Sequence, residues 1–261
     1  MRHLFMIMLV CASMVAGLTG ARADVRIAVA SNFIEPARAL GAVYTAQTGV
    51  DWRISHGASG ALAAQIENGA PFDLFLSADT DRPAYLDQNG RALDLATYAV
   101  GRLVLVLAAG ETAPFPQVIE GLRTAVPDPA VAPYGRAGEQ VLLGQGFVVA
   151  GDAGIVSGDA VRSTPARPAL DVVLAPNVSA AASYFAVGAV DAAFVAASLV
   201  PAIAAKRDLR VIAMDQGHSP IRQDMALLTD RPEARAAFEW LQSDAAREII
   251  AQAGYDLPER E

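Results

Sequence analysis

Thiol chemistry is nearly absent from this chain: of 261 residues one is cysteine, Cys11, inside the N-terminal apolar segment. If that segment is a cleaved leader, the rest of the protein has no disulfide, no thiolate nucleophile and no cysteine-based metal site. Histidine is almost as scarce, with three in all. His56 and His218, the two beyond the leader, have no carboxylate spaced with them as a ligand pair, so no free metal cation is expected. Positive charge is also short: 20 Lys and Arg face 28 Asp and Glu, a formal charge of −8. Loss of Arg2 and Arg22 with the leader leaves 18 bases against 28 acids, or −10. A broad basic surface is excluded, and nucleic acid with it as a partner. Beyond the leader no run of about 20 apolar residues occurs, so the exported chain is expected to be soluble. A small anionic ligand is not excluded, because a buried site answers to its own donors rather than to net charge.

What is present begins with MRHLFMIMLVCASMVAGLTGARA: a base at Arg2, an apolar stretch from Leu4 to Leu18, and Ala21-Arg22-Ala23 ahead of Asp24. This pattern reads as a secretory signal over residues 1–23, cleaved after Ala23. Val10, directly before Cys11, is not the small residue that a lipoprotein signal needs, so no lipid anchor is expected. At 53% hydrophobic residues the chain has ample material for one large domain or two small ones.

Past the leader, strand-like and helix-like patterns alternate. VRIAVA (25–30) reads as a strand, and Phe33, Ala37, Leu40 and Val43/Tyr44 recur at helical spacing up to Thr48-Gly49. Val50 to Ser55 reads as a strand, Gly60 to Asn68 as a helix closed by Gly69, and Phe72 to Leu76 as a third strand. Such alternation implies a parallel sheet covered on both faces. LVLVL (103–107) is a further strand, placed here as the crossing into a second lobe. That lobe continues with strands at 123–126, 170–174 and 192–195 and helices at about 136–143 and after Val178. A return crossing is expected near His218 to Pro220, with Met225 to Leu228 and the helical pattern from Pro232 to Ala253 packing on the first lobe. Residues 146–168, rich in Gly, Ser and Pro, read as a loop or short hairpin.

Four times a strand-like run ends in small residues with hydrogen-bond donors and gives way to a helical pattern: IAVASNF (27–33), HGASGALAAQIENG (56–69), FDLFLSAD (72–79) and LDVVLAPNVS (170–179). Helix N-termini carry unsatisfied N–H groups and a positive dipole end, so four of them brought together form a receptor for an oxyanion. A Ser or Asn before a helix is, taken singly, an N-cap. A fully ionised tetrahedral anion wants donors only, whereas a protonated one also needs a carboxylate acceptor. Asp79, beside the third junction, is expected to point away or to hold its own helix. Arg222 is expected at a hinge or in a surface ion pair, and Trp52, Trp240 and Tyr255 in or near the core. A catalytic reading fails: Gly57-Ala58-Ser59-Gly60-Ala61 lacks the last glycine of a hydrolase elbow, and His56 is too close in sequence to Ser59 to be a triad partner.

The chain resembles the periplasmic molybdate-binding proteins of ABC importers. The matching pieces are VASNF (29–33), GASGALAAQIENGAPFDLFLSAD (57–79), DPAVAPYG (128–135), APNVS (175–179), AAFVAAS (192–198), SPIRQDMALL (219–228) and AREIIAQAGY (246–255). The resemblance implies an α/β, two-lobed type II periplasmic solute-binding fold, each lobe a mainly parallel sheet flanked by helices. On that reading residues 24–100 and 220–261 form lobe 1 and residues 101–219 lobe 2. It implies ligand contacts from Ser31 and Ser59 (hydroxyl and amide) and from the amides of Ala78, Tyr134 and Val178. Some members add a tyrosine hydroxyl from the strand that here reads FVAAS, where this chain has Ala196. Members without that tyrosine carry Asn after the first serine, so Asn32 is expected to be the substitute donor. The implied function is capture of molybdate, and of tungstate as well, for the membrane permease of an ABC importer, by a periplasmic monomer with no cofactor and no catalytic residue. Sulfate or chromate as ligand, or a sensing role for a signalling partner, are the alternatives. Discrimination from sulfate is expected from pocket size, and the 146–168 stretch is longer than the resemblance leads one to expect.

Overall fold

The structure is a computed structural model that describes residues 24–147, 149–150 and 170–259. The expected leader, with Cys11, and most of the 146–168 stretch lie outside the described residues. In chain order come β1 (Asp24–Ala30), a 3-10 turn (Ser31–Phe33), α1 (Ile34–Thr48), β2 (Asp51–Gly57), α2 (Ser59–Glu67), β3 (Leu74–Leu76), α3 (Asp81–Gln88) and β4 (Asp94–Gly101). Then follow β5 (Leu103–Ala108), β6 (Arg123–Pro127), α4 (Pro133–Gly144), β7 (Val149–Ala150), β8 (Leu170–Ala175), α5 (Val178–Ala186), β9 (Ala192–Ala196), α6 (Val200–Ala204) and β10 (Leu209–Ala213). The chain finishes with β11 (Ile221–Leu227), α7 (Pro232–Trp240) and α8 (Asp244–Gln252).

The strands make two sheets, one ordered β2-β1-β3-β11-β4 and the other β10-β5-β9-β6-β8-β7. The chain passes from the first to the second through Arg102 and returns between Ala213 and Ile221. Both sheets are mixed. β1 is parallel to β2 and β3, and β6 is parallel to β8 and β9. The antiparallel pairs belong to β11 and β5, the strands that enter directly from the other sheet. A strand arriving by such a crossing has no helix of its own to reverse it, so it enters against its neighbours.

Alternation along β1 explains how the first sheet is covered. Val25, Ile27 and Val29 face Phe33, Ala37, Leu40 and Tyr44 of the α1 segment together with Ala234, Phe238 and Ile250 of the C-terminal helices. Ala28 faces the other way, with Phe75, toward Leu62, Ile66 and Leu86. Each such side chain contributes about 1.5–3 kcal/mol by leaving water. The C-terminal helical pattern is two helices, because Ser243 accepts the Ala246 N–H at 3.3 Å and starts α8 afresh. Beyond it Asp256 pairs with Val100 across a β-bridge and accepts from the Arg102 guanidinium, which ties the chain end to the crossing. Neither α3, β4 nor β10 is marked by the sequence reading.

Candidate functional site

The carboxyl ends of β1 and β2, the start of the segment after β3, and the first turns of α4 and α5 meet in one place. There they enclose a cavity of about 10 Å³, as swept by the centre of a water-sized sphere. Its lining residues are Ala30, Ser31, Asn32, Gly57, Ala58, Ser59 and Ala78 from the first lobe and Ala132, Pro133, Tyr134, Asn177 and Val178 from the second. All six residues expected from the sequence are therefore brought to one cavity, and all six are buried. Ala196, at the position of the missing tyrosine, is buried in β9 opposite Leu103 and does not line it.

Each donor is placed by its element. Ser59 is the first residue of α2, Val178 the first of α5, and Tyr134 follows Pro133 at the start of α4, so their N–H groups have no acceptor within their helices. Ser31 opens the turn that feeds α1. The start of α4 lies hard against the end of β6: a Cβ on Gly135 would come within 2.1 Å of the Pro127 carbonyl oxygen. Asn177 acts as the N-cap of α5, its Oδ1 accepting the Ala180 N–H at 2.9 Å. Ser59 Oγ accepts the Ala78 N–H at 2.9 Å, which leaves the hydroxyl proton of Ser59 free to turn inward. The Ala78 amide, expected as a direct donor, is thus already engaged.

Among the described residues no charged side chain lines the cavity. The nearest carboxylate by sequence, Asp79, is turned to other work. Its Oδ1 accepts from Ser77 Oγ at 2.9 Å and from the Arg82 N–H at 3.3 Å, and its Oδ2 is paired with the guanidinium groups of Arg82 and, at 2.7 Å, Arg136. Asp79 therefore holds the start of its own helix and bridges to α4. Arg222 is exposed and reaches Thr97 Oγ1 at 3.4 Å. Trp52 and Trp240 pack with Tyr44 in the first lobe, whereas Tyr255 belongs to the site's surroundings.

Behind the cavity lies a buried polar network that sequence reasoning missed. Asn32 Nδ2 donates to Gln223 Oε1 and to the Tyr255 hydroxyl, each at 3.0 Å, and Gln223 Nε2 donates to the Tyr134 hydroxyl at 3.1 Å. The Tyr98 hydroxyl reaches both Ser77 O at 2.8 Å and Gln223 Oε1 at 3.1 Å. Burial pushes the phenols of Tyr98, Tyr134 and Tyr255 well up from their ordinary range, so all three stay neutral. The only sequence signal is Gln223 itself, a neutral polar residue in a strand otherwise suited to a core.

The lobes are closed on each other. Ser179 Oγ donates to Ser31 O at 2.7 Å, Ser198 Oγ to Asn32 O at 3.0 Å, and the Gly60 N–H to Val131 O at 3.1 Å. A compact group held between two such lobes, by donors from both, is sequestered from water on every side.

A sequence model of bacterial extracellular solute-binding proteins matches residues 25–256. This chain is one of the bacterial extracellular solute-binding proteins. The molybdate-binding protein ModA of Rhodobacter capsulatus is 34% identical over 248 residues, covering 91% of this chain and 90% of that protein. ModA of Azotobacter vinelandii is 31% identical over 250 residues, with 90% of each covered. The solved structure of the Azotobacter vinelandii periplasmic molybdate-binding protein superposes with a TM-score of 0.75 at 33% identity, over 90% of this chain and 100% of that one. The sulfate-binding protein SubI of Mycobacterium tuberculosis H37Rv shares the fold, with a TM-score of 0.73 at 15% identity over 91% of this chain and 88% of that one. As a solute-binding protein this chain is a receptor and not an enzyme. His56 is exposed, whereas Ser59 is buried in the cavity wall.

Proposed function

We propose that the cavity takes molybdate, with tungstate as an equivalent ligand, and that the periplasmic protein delivers it to the membrane permease of an ABC importer. The observation that carries this reading is the cavity wall, which offers hydroxyls and helix-start N–H groups and no charged side chain. Such a wall suits an oxyanion that has lost all its protons, since a protonated one would leave its own O–H without a carboxylate to receive it. The helix N-termini supply the positive potential, and desolvation strengthens every one of these bonds. Ser31 and Ser59 contribute hydroxyls and amides, and Tyr134 and Val178 contribute amides. An anion competes with Ser59 Oγ for the Ala78 N–H, and Asn32 provides the donor that Ala196 does not. Two ModA relatives that are 34% and 31% identical over nearly the whole chain support the choice of molybdate.

Lobe 1 (residues 24–100 and 220–261) and lobe 2 (residues 101–219) open and close by a hinge at the two crossings. The chain is exported by a cleaved leader at residues 1–23 and works as a monomer. The test is isothermal titration of the purified protein with molybdate, tungstate, sulfate, chromate and phosphate at neutral pH. Tight 1:1 binding of molybdate and tungstate, with sulfate at least about a thousandfold weaker, is the expected result. Preference for sulfate or chromate, or silence with both metal oxyanions, would overturn the assignment.

A further inference from the structure

Among the described residues, one buried polar atom in the residues that line the cavity has no hydrogen-bond partner. Asn32 is 1% exposed and its Oδ1 has no hydrogen-bond partner, while Nδ2 gives its two hydrogens to Gln223 and Tyr255. Nδ2 faces the network behind the cavity, so Oδ1 lies on the other side of the amide, in a residue that lines the cavity. Held this way, Asn32 offers the site no N–H, because both hydrogens of Nδ2 are committed to the network, and its Oδ1 is a buried acceptor without a donor.

A carboxamide turned by half a rotation about its last bond exchanges N and O and keeps its shape. If Asn32 and Gln223 both turn, the polarity of the network reverses and one bond is exchanged for another, because the Tyr255 hydroxyl, which donates to Asn32 O at 2.8 Å, must turn its proton elsewhere. Gln223 Nε2 then donates to Asn32 Oδ1 and to the Tyr98 hydroxyl, which keeps its own bond to Ser77 O. Gln223 Oε1 accepts the Tyr134 hydroxyl across the same 3.1 Å. The Tyr255 hydroxyl moves its proton from Asn32 O to Asn32 Oδ1, and Ser198 Oγ keeps Asn32 O satisfied at 3.0 Å. The orphan disappears, and Asn32 Nδ2 becomes an unshared donor in a residue that lines the cavity.

We infer that Gln223 is the positioning residue of the anion site: by donating to Asn32 Oδ1 it fixes the Asn32 amide with its N–H groups toward the ligand. The inference rests on the reading of the cavity as an oxyanion site. Turning Asn32 alone would set Oδ1 against Gln223 Oε1, acceptor against acceptor, so the two amides must turn together. The Tyr134 hydroxyl, which belongs to the second lobe, completes the reversed network by donating to Gln223. Lobe closure and the polarity of Asn32 are therefore linked through a residue that never touches the ligand.

The test is a double-mutant cycle read by titration with molybdate, with thermal melting as the check on folding. Wild type, Asn32→Ala, Gln223→Met and the double variant are compared. Each single substitution is expected to weaken binding by about 10- to 100-fold, the range for one donor to a charged group. The double variant is expected to be no weaker than Asn32→Ala by more than about threefold, because Gln223 acts only through Asn32. Tyr134→Phe keeps its backbone amide and gives a second route: it should weaken binding in the wild type and have no effect in the Asn32→Ala background. Wild-type affinity in Gln223→Met, or losses that add in full in the double variant, would overturn the inference while leaving the molybdate assignment intact. A wild type that binds no molybdate would overturn the assignment itself.

Discussion

Gly101 ends β4 at the first crossing, and a methyl group there has nowhere to go. A Cβ at this position would lie 2.1 Å from the Tyr134 hydroxyl oxygen, 2.5 Å from Gln223 Nε2 and 2.9 Å from Tyr134 Cζ. Neither neighbour is a flexible tip, since Tyr134 is 1% and Gln223 0% exposed and the two are bonded to each other. Tyr134 must retreat by more than about 1 Å to reach ordinary contact, and it carries the start of α4 with it. Overpacking of this kind costs about 1–3 kcal/mol, and the lost Tyr134–Gln223 bond about 1 kcal/mol more. Gly101→Ala should therefore disfavour the closed arrangement by about 2–4 kcal/mol, or weaken molybdate binding by roughly 30- to 1000-fold. The clash with Tyr134 lies between lobes, so an open ligand-free protein escapes it, whereas the contact with Gln223 lies within the first sheet and remains in both states. Titration calorimetry should show the loss in full, and the melting midpoint of the ligand-free variant should fall by much less. Wild-type affinity in Gly101→Ala would refute the reasoning, and so would an equal loss in both assays.

Ser59→Ala removes a hydroxyl from the cavity and strips the Ala78 N–H of its acceptor at 2.9 Å. Molybdate binding should weaken by about 10- to 100-fold in titration, and retention of wild-type affinity would refute the role of Ser59 as central donor. Away from the site, the Asp73 side chain is fully buried and accepts from the Arg26 N–H at 2.8 Å, Thr229 Oγ1 at 2.9 Å and Arg231 Nη1 at 2.9 Å. Burial alone would raise its carboxyl, but these donors together hold it below the ordinary carboxylate range. Its stabilisation is then fully present above the unfolded value of about 3.9 and is lost as the pH falls through the lower folded value. Asp73→Ala should lower stability at pH 7 by about 3 kcal/mol in urea unfolding and flatten the acid limb of the stability curve. An unchanged acid limb would show that another carboxylate controls it.

Local chemistry made the donors legible and hid what orients them. Ser31, Ser59 and Val178 announce themselves because each lies where a strand gives way to a helical pattern, and such a junction is written in a few consecutive letters, whereas Tyr134 is reached only through the resemblance of DPAVAPYG. Gln223, Tyr98, Tyr255 and Ser198 are not legible in this way: Gln223 meets Asn32 across 191 positions of sequence and Tyr98 across 125. No period or spacing encodes such a meeting. The pairing of the Ala78 amide with Ser59 was hidden for the same reason. In the fold, β1 and β5 stood out as apolar runs, whereas β4, with its Thr97 and Tyr98, alternates too weakly to be told from a loop. The mixed character of the sheets follows from the crossings, and strand direction leaves no mark on composition.

The aromatic side chains are divided between the two halves of the problem. Both tryptophans, Trp52 and Trp240, are locked with Tyr44 on the flank of the first lobe, and none of the three lines the cavity. Tyr98, Tyr134 and Tyr255 surround the seam where the lobes meet. The strong emitters thus lie away from the seam, while three of the six tyrosines lie at it. On the proposed hinge motion, emission excited in the tryptophan band remains nearly constant as ligand is captured, and the event is written in tyrosine difference absorption, as Tyr134 becomes buried in the seam between the lobes.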